Sequence, residues 1–460
     1  STKYPQTQTN FRENYIVKIH NLFEDGKSFI PVTGDPLQAP ATETLQPTAE
    51  NIRRGQQELK KLSIDAIIGI MDAFARDLMR VDHPLANVTR EMGTGYIPLW
   101  MRRANLEKLC DLSVNGNRKS LDQFEILGNI ESRKFRAQPR GTVVHWIAGN
   151  VPVLGMLSLL QGLLTKNANI IKAPSENAGL LPAMLESLSR FEWKTSAGVG
   201  VSGKILTDAV AVIYVDREDI EAERALSAIA DVRIAWGNRT AVEAIMNLPR
   251  RFGTEDIIFG PKISFAVVGT EHLSSEDDAS KVAHNLARDV IAFDQQGCNS
   301  PHNVFVERGS SVTPVGFARI FGDALGAAAN RRPLREVTPA DTIRILSVRA
   351  EYDIRGEAYY GKDIGWTVAY NEDESNLADP CYLRTVFVRP VDDIFDIPPL
   401  CSVNTQTAGL SVGERGMKLA EALTAQGVER CPAIGNMSLY DAPWDGMFPI
   451  ERLVRWTSLG

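Results

Sequence analysis

From residue 140 onward, short β-branched apolar runs alternate with longer stretches of helical periodicity, and few folds accommodate that alternation. Residues 142–147, 168–172, 209–215 and 232–236 read as strands, and residues 153–165, 178–190, 220–229 and 241–248 as the helices between them. Strands joined through helices run parallel, so the pattern predicts βαβ units and a sheet covered on both faces. Gly260-Pro261 punctuates the series. A second series follows: strand 263–268, helix 277–293, strand 303–306, helix 312–328, strands near 342–347, 365–369 and 383–388, and helix 412–424. The expected fold class is α/β, with two doubly wound lobes meeting near residue 260.

Extensions flank the lobes. Residues 1–125 read as an irregular and helical segment: polar and rich in Pro, Thr and Gln at first, then with Leu59, Leu62, Ile64, Ile67, Ile68, Met71, Phe74 and Leu78 at helical spacing. Residues 437–460 combine a Pro/Gly/Trp-rich turn with an alternating, strand-like piece at 452–456, and are expected to form a C-terminal arm. Between these lie a domain at 126–260 and a second domain at 261–436.

Composition narrows the function classes. The 460-residue chain carries a net charge of −7, which leaves no electrostatic footprint for nucleic acid or an anionic membrane. The most apolar run, residues 151–164, is shorter than the ~18 residues of a membrane span and contains Gln161. The N-terminal STKYPQTQTN lacks the apolar core of a signal peptide. Five cysteines, at 110, 298, 381, 401 and 431, form no CxxC pair and have no histidine at zinc spacing. The expectations are a cytoplasmic protein without disulfides, metal or membrane span.

Gly198-Val199-Gly200-Val201-Ser202-Gly203 spells GxGxxG, with Asp216 downstream. Its context is wrong: the preceding residues 191–195 are mixed and polar, and no long helix follows. It reads as a flexible connection. The dinucleotide crevice is expected instead at the carboxyl ends of the strands of the 126–260 domain.

Cys298 stands in a turn between a helix and a strand, after Gly297. Such a position can present sulfur to a cleft, whereas a buried small apolar role is the ordinary fate of a cysteine. The surrounding FDQQGCNSPHNVFVE resembles the nucleophile segment of aldehyde dehydrogenases, and is more similar to that of the LuxC-type long-chain acyl-CoA reductases of bacterial bioluminescence. The resemblance covers roughly residues 130 to 460. It is carried also by Arg140-Gly141, by Ala148-Gly149-Asn150-Val151-Pro152, by Lys172-Ala173-Pro174-Ser175-Glu176, by Ala235-Trp236-Gly237-Asn238 and by Phe259-Gly260-Pro261-Lys262, in the family's order.

The resemblance implies an aldehyde dehydrogenase-like fold with a dinucleotide-binding domain, a catalytic cysteine domain and an oligomerisation arm. It implies Cys298 as nucleophile and Asn150, with the Cys298 N–H, as oxyanion donor. Lys172, Ser175, Glu176, Gly237, Asn238 and Gly260 would hold the cofactor, with NADPH favoured by the family and NADH the second candidate. Glu176 cuts against NADPH, because a carboxylate holds an unphosphorylated ribose and repels a 2′-phosphate. The substrate would be an acyl-CoA or acyl-carrier-protein thioester, and the assembly a homodimer or homotetramer.

One departure from oxidising aldehyde dehydrogenases bears on the reaction. Their water-activating glutamate matches Ile258 here, which cannot accept a proton, although Glu255 or Asp256 could replace it under a shifted alignment. Without a base the acyl-enzyme resists water, and the expected reaction is reduction of a fatty acyl thioester to an aldehyde. Residues 381–390 also lack the acid that holds the nicotinamide ribose in those relatives, so its seat stays open. The alternatives are aldehyde oxidation with Glu255 as base, a non-redox cysteine acyltransferase or thioesterase, and a non-catalytic acyl-binding subunit. His302 and His145 read mainly as structural histidines. Trp444, Arg452, Arg455 and Trp456 read as core or interface residues, with an acyl tunnel as the alternative.

Overall fold

The computed structural model describes residues 17–91, 95–128, 133–151, 154–334 and 337–460. Pro152 and Val153, the expected turn end and helix start, lie outside them, as does the polar stretch 1–10. The first lobe contains strand β1 (Ile19–Glu24), helices α1 (Gln46–Leu59) and α2 (Ile64–Leu78), strands β2 (Lys134–Pro139) and β3 (Thr142–Trp146), and α3 (Leu154–Leu164). There follow β4 (Ala168–Lys172), α4 (Leu180–Ser189), β5 (Val210–Val215), α5 (Ile220–Ile229), β6 (Val232–Trp236), α6 (Arg239–Met246) and β7 (Glu255–Phe259). From β3 to α6 the elements stand where the alternation places them.

The main path of the sheet runs β7-β6-β3-β4-β5-β1, with β3 to β7 parallel. Every residue of β3 and β6 is buried, as strands covered on both faces require. The chain leaves β3 toward β4 and β5, then returns to β6 and β7 on the other side. That reversal opens a crevice beyond the carboxyl ends of β3 and β6. The N-terminal segment is less irregular than expected: β1 adds to the sheet edge antiparallel to β5, with Ile19 opposite Val215.

The second lobe contains β8 (Ile263–Val268), α7 (Glu276–Ile291), β9 (Pro301–Glu307), α8 (Pro314–Arg331), α9 (Pro339–Arg355), β10 (Glu357–Tyr360), β11 (Thr367–Tyr370), β12 (Thr385–Val391), β13 (Thr405–Ser411) and α10 (Gly416–Ala425). Its sheet runs β10-β11-β12-β9-β8-β13, parallel except at β10. The strand expected near 342–347 is helix α9. Its β-branched residues suggested a strand, but Pro339 opens the helix and Thr338 and Asp341 cap it reciprocally. β13 was not anticipated.

The GxGxxG segment forms part of a two-stranded hairpin, Glu192–Lys194 against Gly200–Ser202, so a short strand does precede it. The Trp193 ring there occupies the space where Gly69 would carry a methyl group, packing the hairpin on α2. In the tail, Arg452 ends a short helix, and the strand starts two residues later as β14 (Val454–Leu459), antiparallel to β2.

Helix α2 is tied to the helix Arg103–Ser113 through Asp72, which accepts from Arg102 Nε at 2.7 Å and the Arg103 N–H at 3.0 Å. Burial alone would raise its carboxyl; the bonds from Arg102 and Arg103 and the charges of Arg76 and Arg102 outweigh burial and hold it below the usual range. Asp72→Ala should cost about 1–3 kcal/mol in urea unfolding at pH 7. A lowered carboxylate stabilises above its unfolded value, about 3.9, and the benefit is lost as pH falls through the folded value. The gap between variant and wild type should therefore narrow below pH 4.

Candidate active site

Helix α7 stops at Ile291, and Phe293, Asp294 and Gln295 then adopt left-handed backbone with φ of 54°, 53° and 64°. Such residues cost roughly 1–2 kcal/mol each, so buried contacts must fix them. Facing them, Tyr382, Leu383 and Arg384 are left-handed too, at 61°, 50° and 64°. The two turns are bonded together. The fully buried Arg384 donates from Nε to Asp294 Oδ1 at 3.1 Å. Gln295 Nε2 donates to Pro301 O at 2.8 Å and Thr385 O at 3.0 Å, and its Oε1 accepts from the Thr385 N–H at 3.0 Å.

This clamp delivers the segment Gln296–Ser300 to the mouth of β9. The Cys298 carbonyl accepts from Ser264 Oγ at 2.7 Å, and Asn299 Nδ2 donates to Met437 O at 2.9 Å. Cys298 is partly exposed in a cleft of about 840 Å³. Gln406 Nε2, on β13, lies 3.2 Å from its sulfur and also donates to Asp445 Oδ1. Burial, then the Asp445 charge, push the thiol up to about 12, opposed by Gln406 and Arg430. Asn150 Nδ2 donates to Gln296 O at 3.0 Å, which leaves its second N–H for a ligand and holds it against the backbone two residues before Cys298.

The same cleft collects the carboxyl ends of β3 to β7: Trp146 and Ile147, Lys172 to Glu176, Tyr214 to Val215 with Arg217, Trp236 to Asn238, and Phe259 to Lys262. Lys172, Ser175, Glu176, Gly237, Asn238 and Gly260 are thereby brought together with Cys298 and Asn150. These residues fit a dinucleotide. Trp236 and Phe259 stack at 3.7 Å along the wall, and Gly237 precedes the N-terminus of α6. A Cβ at Gly260 would meet nothing within 4 Å, so its backbone is open to a ligand.

Two expected contributors are engaged elsewhere. Lys172 forms a 2.9 Å ion pair with Glu223, whose other oxygen accepts from Trp146 Nε1 at 2.6 Å. Asn238 caps α6, accepting from the Ala241 N–H. Sequence reasoning missed Glu223, Arg217, Tyr96, Gln406 and Asp445. Gln406 and Glu223 carry no local signal. Asp445-Gly446 does, as an Asp-Gly turn dipeptide.

The candidate replacement bases are elsewhere. Glu255 opens β7, four residues and roughly 13 Å of strand from Phe259, and pairs with Arg452 and Arg140. Asp256 is held by Arg233 at 2.7 Å and by Arg250. His302 is buried with its ring against Tyr382, and burial holds it neutral, near 4. His145 lies between Ser158 and Asn169, likewise lowered to about 4 by burial. Trp444 lines the cleft, while Arg452, Arg455 and Trp456 do not. No group of metal-binding side chains is present among the described residues.

A family model described as acyl-CoA reductase (LuxC) matches residues 59–456. The chain belongs to that family. It is 30% identical over 366 residues to a long-chain acyl-protein thioester reductase of Photorhabdus luminescens, covering 76% of this chain and 70% of that one. It is 27% identical over 337 residues to long-chain acyl-protein thioester reductase 2 of Photobacterium leiognathi, covering 70% of this chain. That match spans 65% of the Photobacterium protein's length, slightly under two thirds. The indole-3-acetaldehyde dehydrogenase of P. syringae, solved with NAD+, superposes with a TM-score of 0.62 at 13% identity, over 97% of this chain and 96% of that one. The fold is that of the aldehyde dehydrogenases, and the family match extends the likeness upstream through α2 to Leu59, where α1 ends.

Asp294→Ala should remove one acceptor of the buried Arg384 guanidinium, which keeps its bond to Arg332 O. The expected cost is about 1–3 kcal/mol in denaturant unfolding, with faster amide exchange at residues 293–299.

Proposed function

We propose that this protein reduces a fatty acyl thioester, of coenzyme A or an acyl-carrier protein, to the aldehyde through an acyl-Cys298 intermediate. One observation carries the reading: Cys298 opens into the same cleft as the five strand ends that suit a dinucleotide. The position of the oxidising base is Ile258, and Glu255 and Asp256 are committed to arginines away from the cleft. The Photorhabdus and Photobacterium relatives are named as acyl-protein thioester reductases, which agrees with an acyl thioester substrate.

The chain's own groups have definite parts in this scheme. Cys298 Sγ, as thiolate, attacks the thioester carbonyl, and the carrier's C–S bond breaks to release its thiol. Asn150 Nδ2 and the Cys298 N–H face the oxyanion; one such donor is worth roughly 2.7–4 kcal/mol of barrier. Tyr96, Leu154, Leu157, Phe293, Tyr440 and Trp444 form an apolar lining for the acyl chain, at ~0.8 kcal/mol per buried methylene. A reduced nicotinamide cofactor supplies the hydride when bound. Cys298 then leaves as thiolate while the carbonyl of the aldehyde re-forms.

NADPH is the proposed cofactor. Lys172 is paired with Glu223, and Glu176 is a carboxylate, so the 2′-phosphate falls to Arg217, which lines the cleft beyond β5 with Ser175 nearby in it. The five described cysteines are all free, in keeping with a reducing cytoplasm, and no helix among the described residues is long and apolar enough to cross a membrane. A homodimer or homotetramer is proposed, built through the β2–β14 arm, a two-stranded sheet in which β14 pairs with no other strand among the described residues.

Mixing the protein with long-chain acyl-CoA and no cofactor should give a covalent acyl adduct on Cys298, seen by peptide mass spectrometry. Cys298→Ala should abolish both the adduct and acyl-dependent NADPH consumption; an adduct elsewhere would end the proposal. Arg217→Ala should raise the KM for NADPH at least tenfold and leave that for NADH within about twofold, as expected for loss of one phosphate contact.

A further inference from the structure

The turn that carries Asp445 is built, and its carboxylate is directed at the nucleophile's partner. Trp444 and Met447 exchange backbone hydrogen bonds, Trp444 N to Met447 O at 2.9 Å and the reverse at 3.1 Å. Asp445 and Gly446 between them have φ of 47° and 69°, a tight two-residue turn of the type that favours Asp-Gly. Asp445 is 9% exposed and lines the cleft with Cys298. A single nitrogen, Gln406 Nε2, donates one N–H to Asp445 Oδ1 and the other toward Cys298 Sγ. An N–H aimed at sulfur favours the thiolate, because sulfur accepts a hydrogen bond far better with the negative charge on it.

We propose that Asp445 is the proton-transfer group of the acylation step, held beside Cys298 by Gln406, which acts as the positioning residue and thiolate donor. The inference rests on the acyl-Cys298 reading above. Through one bridging water, the Asp445 carboxylate takes the S–H proton as Sγ, bonded by Gln406 Nε2, forms the new C–S bond with the acyl carbon. The C–S bond to the carrier breaks, and the departing thiolate takes the proton back from Asp445. No oxidant or reductant is needed at this stage, and Asp445 ends as it began.

The surrounding charges suit a group that must hold and release a proton. Burial raises the Asp445 carboxyl to about 6; Gln406 and Lys262 lower it, Glu429 raises it and Arg430 lowers it. Lys262 is itself paired with Glu429. Burial also pushes Cys298 up, so the resting group is the thiol and its proton must leave as the sulfur attacks. In oxidising relatives a glutamate activates water. Here the corresponding position is empty of acid, and the carboxylate of this cleft sits against the sulfur's own donor.

Asp445→Asn tests this, because asparagine tolerates left-handed backbone and can still accept from Gln406. Two rates are compared on the full-length protein: alkylation of Cys298 by iodoacetamide at pH 8, and the single-turnover acylation of Cys298 by long-chain acyl-CoA without cofactor. Removing the carboxylate charge should make thiolate easier to form and speed alkylation, yet acylation should fall at least tenfold, since proton transfer contributes about 100-fold or more. Wild-type acylation should rise with pH through about 6 and level off, and the variant should lose that inflection. Asp445→Glu should recover part of the rate. Unchanged or faster acylation in Asp445→Asn, with the inflection kept, would overturn the proposal. A wild-type protein that never acylates Cys298 would instead sink the acyl-thioester reading itself, so the two failures are told apart.

Discussion

The Asp294–Arg384 clamp is the constraint on which the placement of Cys298 in the cleft depends. Six residues in two facing turns hold left-handed backbone, and three of them, Phe293, Tyr382 and Leu383, have no polar side chain suited to that conformation. At roughly 1–2 kcal/mol per residue, the two turns would relax if separated. They persist because Arg384, Asp294, Gln295 and Thr385 satisfy one another inside the second lobe. The consequence is positional. The chain leaves α7, reverses, and enters β9 with Cys298 turned toward the first lobe rather than into its own core. Strain placed one turn before a nucleophile is a means of fixing it where an exposed loop could not.

The βαβ series was legible because its signals are local. β3, β4, β6 and the helices between them can be read from apolar runs and punctuation, and burial on both sheet faces leaves no polar alternation to confuse them. The errors came where a local signal pointed two ways. The run Thr342–Ser347 is β-branched, but the cap at Thr338 and Asp341 decides for helix. β1 joins the sheet by pairing with residues nearly 200 positions away, which no window of sequence contains. At the site, Cys298, Asn150 and the Lys172 segment were legible because they stand in contiguous motifs. Gln406 and Asp445 were not, because their meaning lies in a shared nitrogen between β13 and a tail turn. Glu223 was hidden for the same reason: it meets Lys172 and Trp146 only when α5 folds onto the sheet.

Charge in the cleft is largely settled before any ligand arrives. Lys172 is paired with Glu223 and Lys262 with Glu429. Pairing of partly buried charges avoids the penalty of leaving them alone. It also means that a lysine in a cofactor motif is not automatically a phosphate ligand. The motif fixes where Lys172 stands, and Glu223 governs how much of its charge a cofactor meets. Arg217 enters the argument for that reason and not through any motif.

The balance between water and hydride follows from the same arrangement. An acyl-cysteine is released by whichever nucleophile is activated next to it. In this cleft the acids near the family's base position are spent on structure: Glu255 fastens β7 to the tail helix through Arg452, and Asp256 neutralises the buried Arg233. Asp445 is on the sulfur's side, sharing its donor. In the proposed scheme, once Cys298 is acylated and the carrier thiol has left, Asp445 has returned its proton and is again a carboxylate beside a neutral thioester. With Ile258 at the family's base position and Glu255 and Asp256 bound to arginines, no acid stands where oxidising relatives activate water, and hydride is left as the way out of the proposed acyl-enzyme.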